Sequence, residues 1–228
     1  MKTFCIGDIH GAYRALMQCL ERSGFDYQKD RLIVLGDVCD GYPEVDRCIQ
    51  ELLKIKYCEY VIGNHDVWAL EWALEGKEEE IWTSQGGLAT ILSYNNGPMP
   101  REHLYFLQKA HHWFEMENKI FIHGGFDLNF PLSKQSRHKL VWDRDLIYAA
   151  WKKSQEDPKF KFSSYEEIFL GHTPTQNFKS NQPLHLCNIW AMDTGAGWSG
   201  PLTIMDIGSK QFWQSDITVN LYEGFQSR

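Results

Sequence analysis

Five short loops carry most of the polar chemistry in this sequence. They read Gly7-Asp8-Ile9-His10-Gly11, Gly36-Asp37-Val38-Cys39-Asp40-Gly41, Gly63-Asn64-His65-Asp66, Ile122-His123-Gly124-Gly125 and Gly171-His172-Thr173-Pro174. Each places Asp, Asn or His directly after an apolar run, with glycine beside it. Glycine lets the backbone turn sharply and approach a bound group closely. Carboxylate, amide oxygen and imidazole together form a mixed oxygen and nitrogen donor set that suits Mn, Fe or Zn ions. Taken singly, Asp8 would be a turn or helix cap, and His123 a satisfied core histidine. Five such loops would need five independent explanations of that kind. Together they point to one shared metal site.

The elements that must position these loops can be read from hydrophobic spacing. Phe4 to Ile6, Arg31 to Leu35 and Tyr57 to Ile62 are short apolar runs, each leading into one of the first three loops. Helical patterns follow over Tyr13 to Arg22, from Pro43 to about Ile55, and after Asp66 in a stretch rich in Trp, Ala, Leu and Glu. Strands alternating with helices at this spacing predict a parallel sheet with right-handed crossovers. Each loop then lies at the carboxyl end of its strand, the edge where open α/β sheets bind ligands. Gly76 to Glu80 is a charge run, read as a solvated helix end or loop. Trp82 to Tyr94 predicts a capping helix closed by the turn Asn95-Asn96-Gly97-Pro98, and Arg101 to Ala110 another helix. Trp113 to Met116 and Lys119 to Ile122 suggest a hairpin around Glu117-Asn118. The last third reads as strand-rich, with strands near Ile168, Leu184, Ile189, Leu202 and Gln211. One domain over residues 1–228, with a second, more antiparallel sheet and a helical cap insertion near 76–110, is the simplest organisation.

The 228 residues are 43% hydrophobic and 23% charged, which excludes disordered, collagen-like and coiled-coil classes. The apolar stretches are all shorter than the ~18 residues a membrane span needs, and the first residues do not read as a signal peptide. The six cysteines form no C-x-x-C pair and are expected to be reduced and mostly buried, so a cytoplasmic protein is the working expectation. A formal charge of −7, without a basic cluster, argues against a nucleic-acid scaffold. It does not argue against a phosphorylated substrate, because two divalent cations would add four positive charges at the site itself. The nine tryptophans are assigned mainly to packing, with an aromatic binding patch as the alternative.

The ordered set GDxHG, GDxxD, GNH, HGG and GHTP resembles the calcineurin-like metallophosphoesterases. More narrowly, it is similar to the phosphoprotein phosphatase group in its small bacterial and phage serine/threonine phosphatase form. Leu132, Gln135 and Leu140-Val141-Trp142-Asp143-Arg144 resemble the "L…Q…LLW-x-R" stretch of bacterial members, and Asp193-Thr194-Gly195-Ala196 their late D-T-G strand. The resemblance runs from Cys5 to about Leu202. It implies an α/β fold, a four-layer α/β/β/α sandwich with two mixed β-sheets flanked by helices.

The resemblance also implies roles. Asp8, His10 and Asp37 would hold one divalent ion, and Asp37 would bridge to a second completed by Asn64, His123 and His172. Manganese is the expected metal, with iron or zinc as alternatives. Two such ions share a carboxylate and acidify a bridging water, whose hydroxide attacks phosphorus in line. His65 would donate a proton to the leaving oxygen, with Asp40 as its partner. Arg144 matches a phosphate-binding arginine. Two departures stand out. Gly41 replaces the arginine that usually follows Asp40 and clamps phosphate, and Asp66 replaces the usual Glu. Arg14 and Arg47 are near enough in sequence to be considered as compensation.

The implied activity is hydrolysis of phosphomonoesters, including phosphoserine and phosphothreonine in proteins. Trp82-Thr83-Ser84-Gln85-Gly86-Gly87 and Ser93-Tyr94 resemble a stretch of diadenosine tetraphosphatases, which is the alternative enzyme reading. A metal-binding module without turnover is a third, motivated by Gly41 and Asp66. Oligomeric state is not legible.

Overall fold

The computed structural model describes residues 1–225. The chain order is β1 (Thr3–Ile6), α1 (Tyr13–Ser23), β2 (Arg31–Val34), α2 (Val45–Leu52), β3 (Tyr57–Tyr60), α3 (Asn64–Glu75), α4 (Glu80–Trp82), α5 (Leu88–Ser93) and α6 (Arg101–Gln108). It continues with β4 (Phe114–Met116), β5 (Lys119–Ile122), α7 (Arg137–Trp142), α8 (Asp145–Glu156), β6 (Glu167–Leu170), β7 (Leu184–Leu186), β8 (Ile189–Ala191), β9 (Thr203–Asp206), β10 (Phe212–Gln214) and α9 (Thr218–Leu221). No helix among the described residues is long and apolar enough to cross a membrane.

Two five-stranded sheets form, in the orders β10-β9-β1-β2-β3 and β4-β5-β6-β8-β7. In the first, β1, β2 and β3 are parallel, while β9 and β10 add antiparallel pairings. In the second, β5, β6 and β8 are parallel, and the edges β4 and β7 are antiparallel. The second sheet is therefore as mixed as the first, not more antiparallel. The reason is a crossover that the strand-rich reading passed over: α7 and α8 carry the chain from β5 back to a parallel β6. Their signals were present in Ser136, whose hydroxyl accepts the Lys139 N–H at 3.1 Å, and in the spacing of Leu146, Ile147 and Ala150.

Strand periodicity sorts the apolar residues into layers. Phe4, Ile6, Leu32 and Val34 pack with α1, α2 and α3, whereas Ile120, Ile122, Ile168 and Leu170 pack with α7 and α8. The alternate residues Cys5, Ile33, Phe121, Phe169 and Met205 face the other sheet and form the layer between them. Phe121 and Phe169 stack there at 4.8 Å. This is the expected four-layer α/β/β/α sandwich. All six cysteines carry free thiols, five buried and Cys58 half-buried. The Glu117-Asn118 hairpin forms as expected, with both residues at positive φ.

The cap departs from the straight helix predicted over Trp82 to Tyr94. A break at Gln85 and Gly86 separates α4 from α5, with Gly86 at φ 99°. Pro43 lies just ahead of α2 rather than inside it.

Candidate active site

The parallel strands of both sheets end on one edge, and the loops that follow them meet there. Their closeness depends on glycine at two places. A Cβ at Gly63 would lie 2.1 Å from Asp37 Oδ1, and one at Gly36 would lie 2.7 Å from His123 Nδ1. Four donor-bearing residues, His10, Asp37, Asp40 and His172, sit in the left-handed region at φ 48–68°. Asp and His tolerate that region better than most residues, and such backbone strain concentrates at functional sites.

Asp37 stands at the centre. His123 Nε2 lies 3.3 Å from its Oδ2 and His10 Nε2 lies 3.7 Å from the same oxygen. Two overlapping donor sets result, Asp8–His10–Asp37 and Asp37–His123–His172, all buried. Asn64 Oδ1 joins the second set at 3.0 Å from His123 Nε2. Backbone carbonyls orient two of the rings: His10 Nδ1 faces Cys39 O at 3.2 Å, and His123 Nδ1 faces Leu35 O at 2.7 Å. A carbonyl can only accept, so Nδ1 carries the proton and Nε2 is the atom turned to the site. The His172 backbone N–H donates to Asp8 at 3.0 Å. All six predicted ligands thus converge, with Asp37 common to both sets.

The electrostatics fit a cation pair. Burial, then Asp193 and Asp37, push the Asp8 carboxyl well above its ordinary range. Burial opposes ionisation of Asp37 too, but His123, His65 and His10 outweigh it and hold its carboxyl well below. Burial lowers His172 to about 2, so its ring is neutral, and its buried Nε2 has no hydrogen-bond partner. A neutral imidazole with an unsatisfied nitrogen beside two carboxylates is a ligand geometry for a divalent metal.

His65 does not join those donor sets. Its Nδ1 lies 2.7 Å from Asp40 Oδ2, and Asp40 is fully buried. The Asp40 carboxylate also accepts the Trp82 indole N–H at 2.8 Å and the Thr90 hydroxyl at 2.6 Å. Asp66, the other departure, has a visible task. Its carboxylate accepts four backbone N–H groups, from Asp37, Val38, Cys39 and Gly63, and so holds the loop that carries Asp37.

These groups open into a cavity of about 630 Å³ that is also lined by Gln85, Trp142, Arg144, Gln176, Trp198 and Asp193. Arg144 is exposed at its rim, while Asp143 beside it pairs with Lys139 and accepts the Leu146 N–H. Arg14 and Arg47 lie elsewhere. Both pair with Glu44, over the rings of Tyr222 and Tyr13, so neither replaces an arginine at Gly41. Gly41 itself has φ 81°, and a Cβ there would press on His10 Cβ at 2.9 Å.

Several neighbours were not assigned to the site from the sequence. Asp193 had a signal, since it follows a strand and precedes Gly195 just as the other loops do. Trp82 and Gln85 lay in the stretch that resembles diadenosine tetraphosphatases but were given no role there, and Thr90, Gln176 and Trp198 had no signal, because their places depend on how the cap and the 195–200 loop fold back.

The sequence matches the calcineurin-like phosphoesterase family over residues 1–200. Serine/threonine-protein phosphatase 1 of Salmonella typhimurium is 28% identical over 210 residues, covering 89% of this chain and 90% of that protein. A symmetrical bis(5'-nucleosyl)-tetraphosphatase of Pseudomonas fluorescens is 24% identical, covering 91% of this chain and 92% of that protein. A solved metallophosphoesterase from Sphaerobacter thermophilus superposes with a TM-score of 0.59 at 18% identity, covering 97% of this chain and 94% of that one. The fold and site thus define a metallophosphoesterase. This chain belongs to the calcineurin-like phosphoesterase family, whose members are hydrolases with a binuclear divalent metal centre.

Proposed function

We propose that the protein hydrolyses phosphomonoesters, phosphoserine and phosphothreonine in proteins among them, with two manganese ions held by Asp8, His10, Asp37, Asn64, His123 and His172. The observation that carries this reading is the sharing of Asp37 between two buried donor sets, with the His65–Asp40 pair beside them. The chemistry that two such cations supply when bound is polarisation of the phosphoryl oxygens and acidification of the attacking water.

The chain's own residues do the rest. Arg144, at the rim, binds the remaining phosphoryl oxygens by charge-assisted hydrogen bonds. Asp40 accepts the Nδ1–H of the protonated His65 ring, whose Nε2–H is then directed to the leaving oxygen. As the ester P–O bond breaks, its electron pair stays on that oxygen, which takes the Nε2 proton and departs as the alcohol.

The protein's own charge supports the smaller substrate. Among the described residues lining the cavity, Arg144 is the one lysine or arginine, against carboxylates at Asp8, Asp37 and Asp193. Beyond the phosphate held by the two cations, a tetraphosphate chain would find one arginine for its remaining negative charges. Trp142 and Trp198 favour the second reading, a dinucleotide tetraphosphatase, because flat aromatic surfaces suit nucleobases. The deciding experiment is a manganese-supplemented panel of phosphopeptides, an aryl phosphate and diadenosine tetraphosphate. Turnover of the tetraphosphate alone would overturn the monoester reading.

A further inference from the structure

Trp82 and Thr90 meet on one carboxylate. The Trp82 indole N–H and His65 Nδ1 share Asp40 Oδ2 at 2.8 and 2.7 Å, while the Thr90 hydroxyl donates to Oδ1 at 2.6 Å. Thr90 Oγ1 also accepts the Asp40 backbone N–H at 2.9 Å, so both ends of the aspartate are tied to one side chain. Trp82, Thr90 and Asp40 are all buried, at 1%, 0% and 0% exposure. In an unbroken helix, residues eight apart lie about 12 Å apart along the axis, too far to serve one carboxylate. The break at Gln85 and Gly86 removes that separation. Gly87 completes the fit, since a Cβ there would lie 2.3 Å from the Trp82 ring. Gly86 O accepts the Gly41 N–H at 3.2 Å, which joins the break to the Asp40 loop.

We propose that Trp82 and Thr90 are positioning residues for proton delivery, and that the glycine break in the cap exists to bring both donors onto Asp40. With both oxygens occupied, Asp40 cannot rotate, so the His65 ring it orients presents Nε2 to the leaving oxygen in one direction. Without a donor on Oδ1, the carboxylate turns and the ring loses its fixed aim. Orientation of this kind governs how much an acid contributes.

The inference rests on His65 as the proton donor, so the test separates the two. Thr90→Val keeps the shape and removes the hydroxyl, Thr90→Ser restores it, and Trp82→Phe removes the indole N–H. Turnover is compared on a phosphoserine peptide, whose leaving group needs a proton, and on p-nitrophenyl phosphate, which needs it far less. Thr90→Val and Trp82→Phe should each lose about tenfold or more on the peptide and much less on the aryl ester, with Thr90→Ser near the parent. In a His65→Asn background, Thr90→Val should cost nothing further. Equal losses on both substrates, or an additive loss in the double variant, would overturn the positioning role while leaving His65 as donor. If His65→Asn itself loses both substrates equally, the donor reading fails instead. A readout independent of turnover is the downfield His65 Nδ1–H proton resonance, assigned by its absence in His65→Asn. It should weaken or shift in Thr90→Val and Trp82→Phe, and its persistence unchanged in both would sink the proposal.

Discussion

Asp66 Oδ2 accepts the backbone N–H of Asp37 at 2.7 Å, so one buried carboxylate holds another in place through the main chain. Asp66 also serves Val38, Cys39 and Gly63. Asp66→Ala leaves these buried donors without partners, at ~1–3 kcal/mol for each one that water cannot reach. Thermal unfolding should show a large loss of stability, and metal titration a weaker site. A variant with parent stability and parent metal affinity would refute this assignment.

Asp37→Asn should lower hydrolysis by orders of magnitude, because one oxygen serves both donor sets. Metal analysis after reconstitution with manganese should fall from about two ions per chain in the parent. Full activity with a single tightly bound ion would contradict the shared-carboxylate geometry.

Gly41→Arg does not restore a phosphate clamp. The position has φ 81°, and a Cβ would meet His10 Cβ at 2.9 Å and His10 O at 3.0 Å. Left-handed backbone costs a non-glycine residue ~1–2 kcal/mol before the clash is counted. The variant should melt earlier than the parent and bind metal more weakly, since the pressed residue belongs to the donor set proposed to hold metal. Unchanged melting with improved turnover of a simple phosphomonoester would show that the loop adapts.

Arg144→Ala should raise KM and lower kcat/KM by roughly 10–150-fold, the worth of a charge-assisted hydrogen bond at ~1.5–3 kcal/mol. Its folding stability should stay near the parent's, because Arg144 makes no ion pair among the described residues and its neighbour Asp143 pairs with Lys139 instead. Inhibition by inorganic phosphate should weaken in step. An unchanged KM would place the phosphate elsewhere.

Metal loading should release protons. Burial opposes a charged His123, yet Asp37 and then Asp8 prevail and raise it to about 10 in the metal-free chain. A cation on Nε2 displaces that proton, so affinity should fall by up to about tenfold per unit as pH drops. The stability linkage has its own sign. The folded value is raised above the ordinary ~6.5, so this contribution is complete below about pH 6.5 and is lost as pH rises toward 10. Denaturant titration of the metal-free chain at several pH values, with calorimetry in buffers of different ionisation heat, checks both. Metal binding without proton release at pH 7 would contradict the charged ring.

The residues that the structure brings together as a candidate site were legible in the chain because their signal is local. Asp8, His10, Asp37, Asn64, His123 and His172 each follow an apolar strand within a few residues, and period-two alternation sets which side of each strand meets the other sheet. Strand ends of a parallel sheet share one edge, which gathers Asp8, Asp37 and Asn64, while the packing of the second sheet on the first brings His123 and His172 to them. Tertiary structure decided what depends on partners distant in sequence. Trp82 and Thr90 reach Asp40 from 42 and 50 residues away. Asp66 meets the Asp37 loop 29 residues back. Arg14 and Arg47, close to the loops in sequence, point to Glu44 instead. The sign of φ at Gly41 and Gly86 is likewise absent from residue type, since glycine adopts either, and packing alone selects between them. Residue types set what chemistry the loops can perform, while long-range hydrogen bonds and close contacts set where each group is aimed.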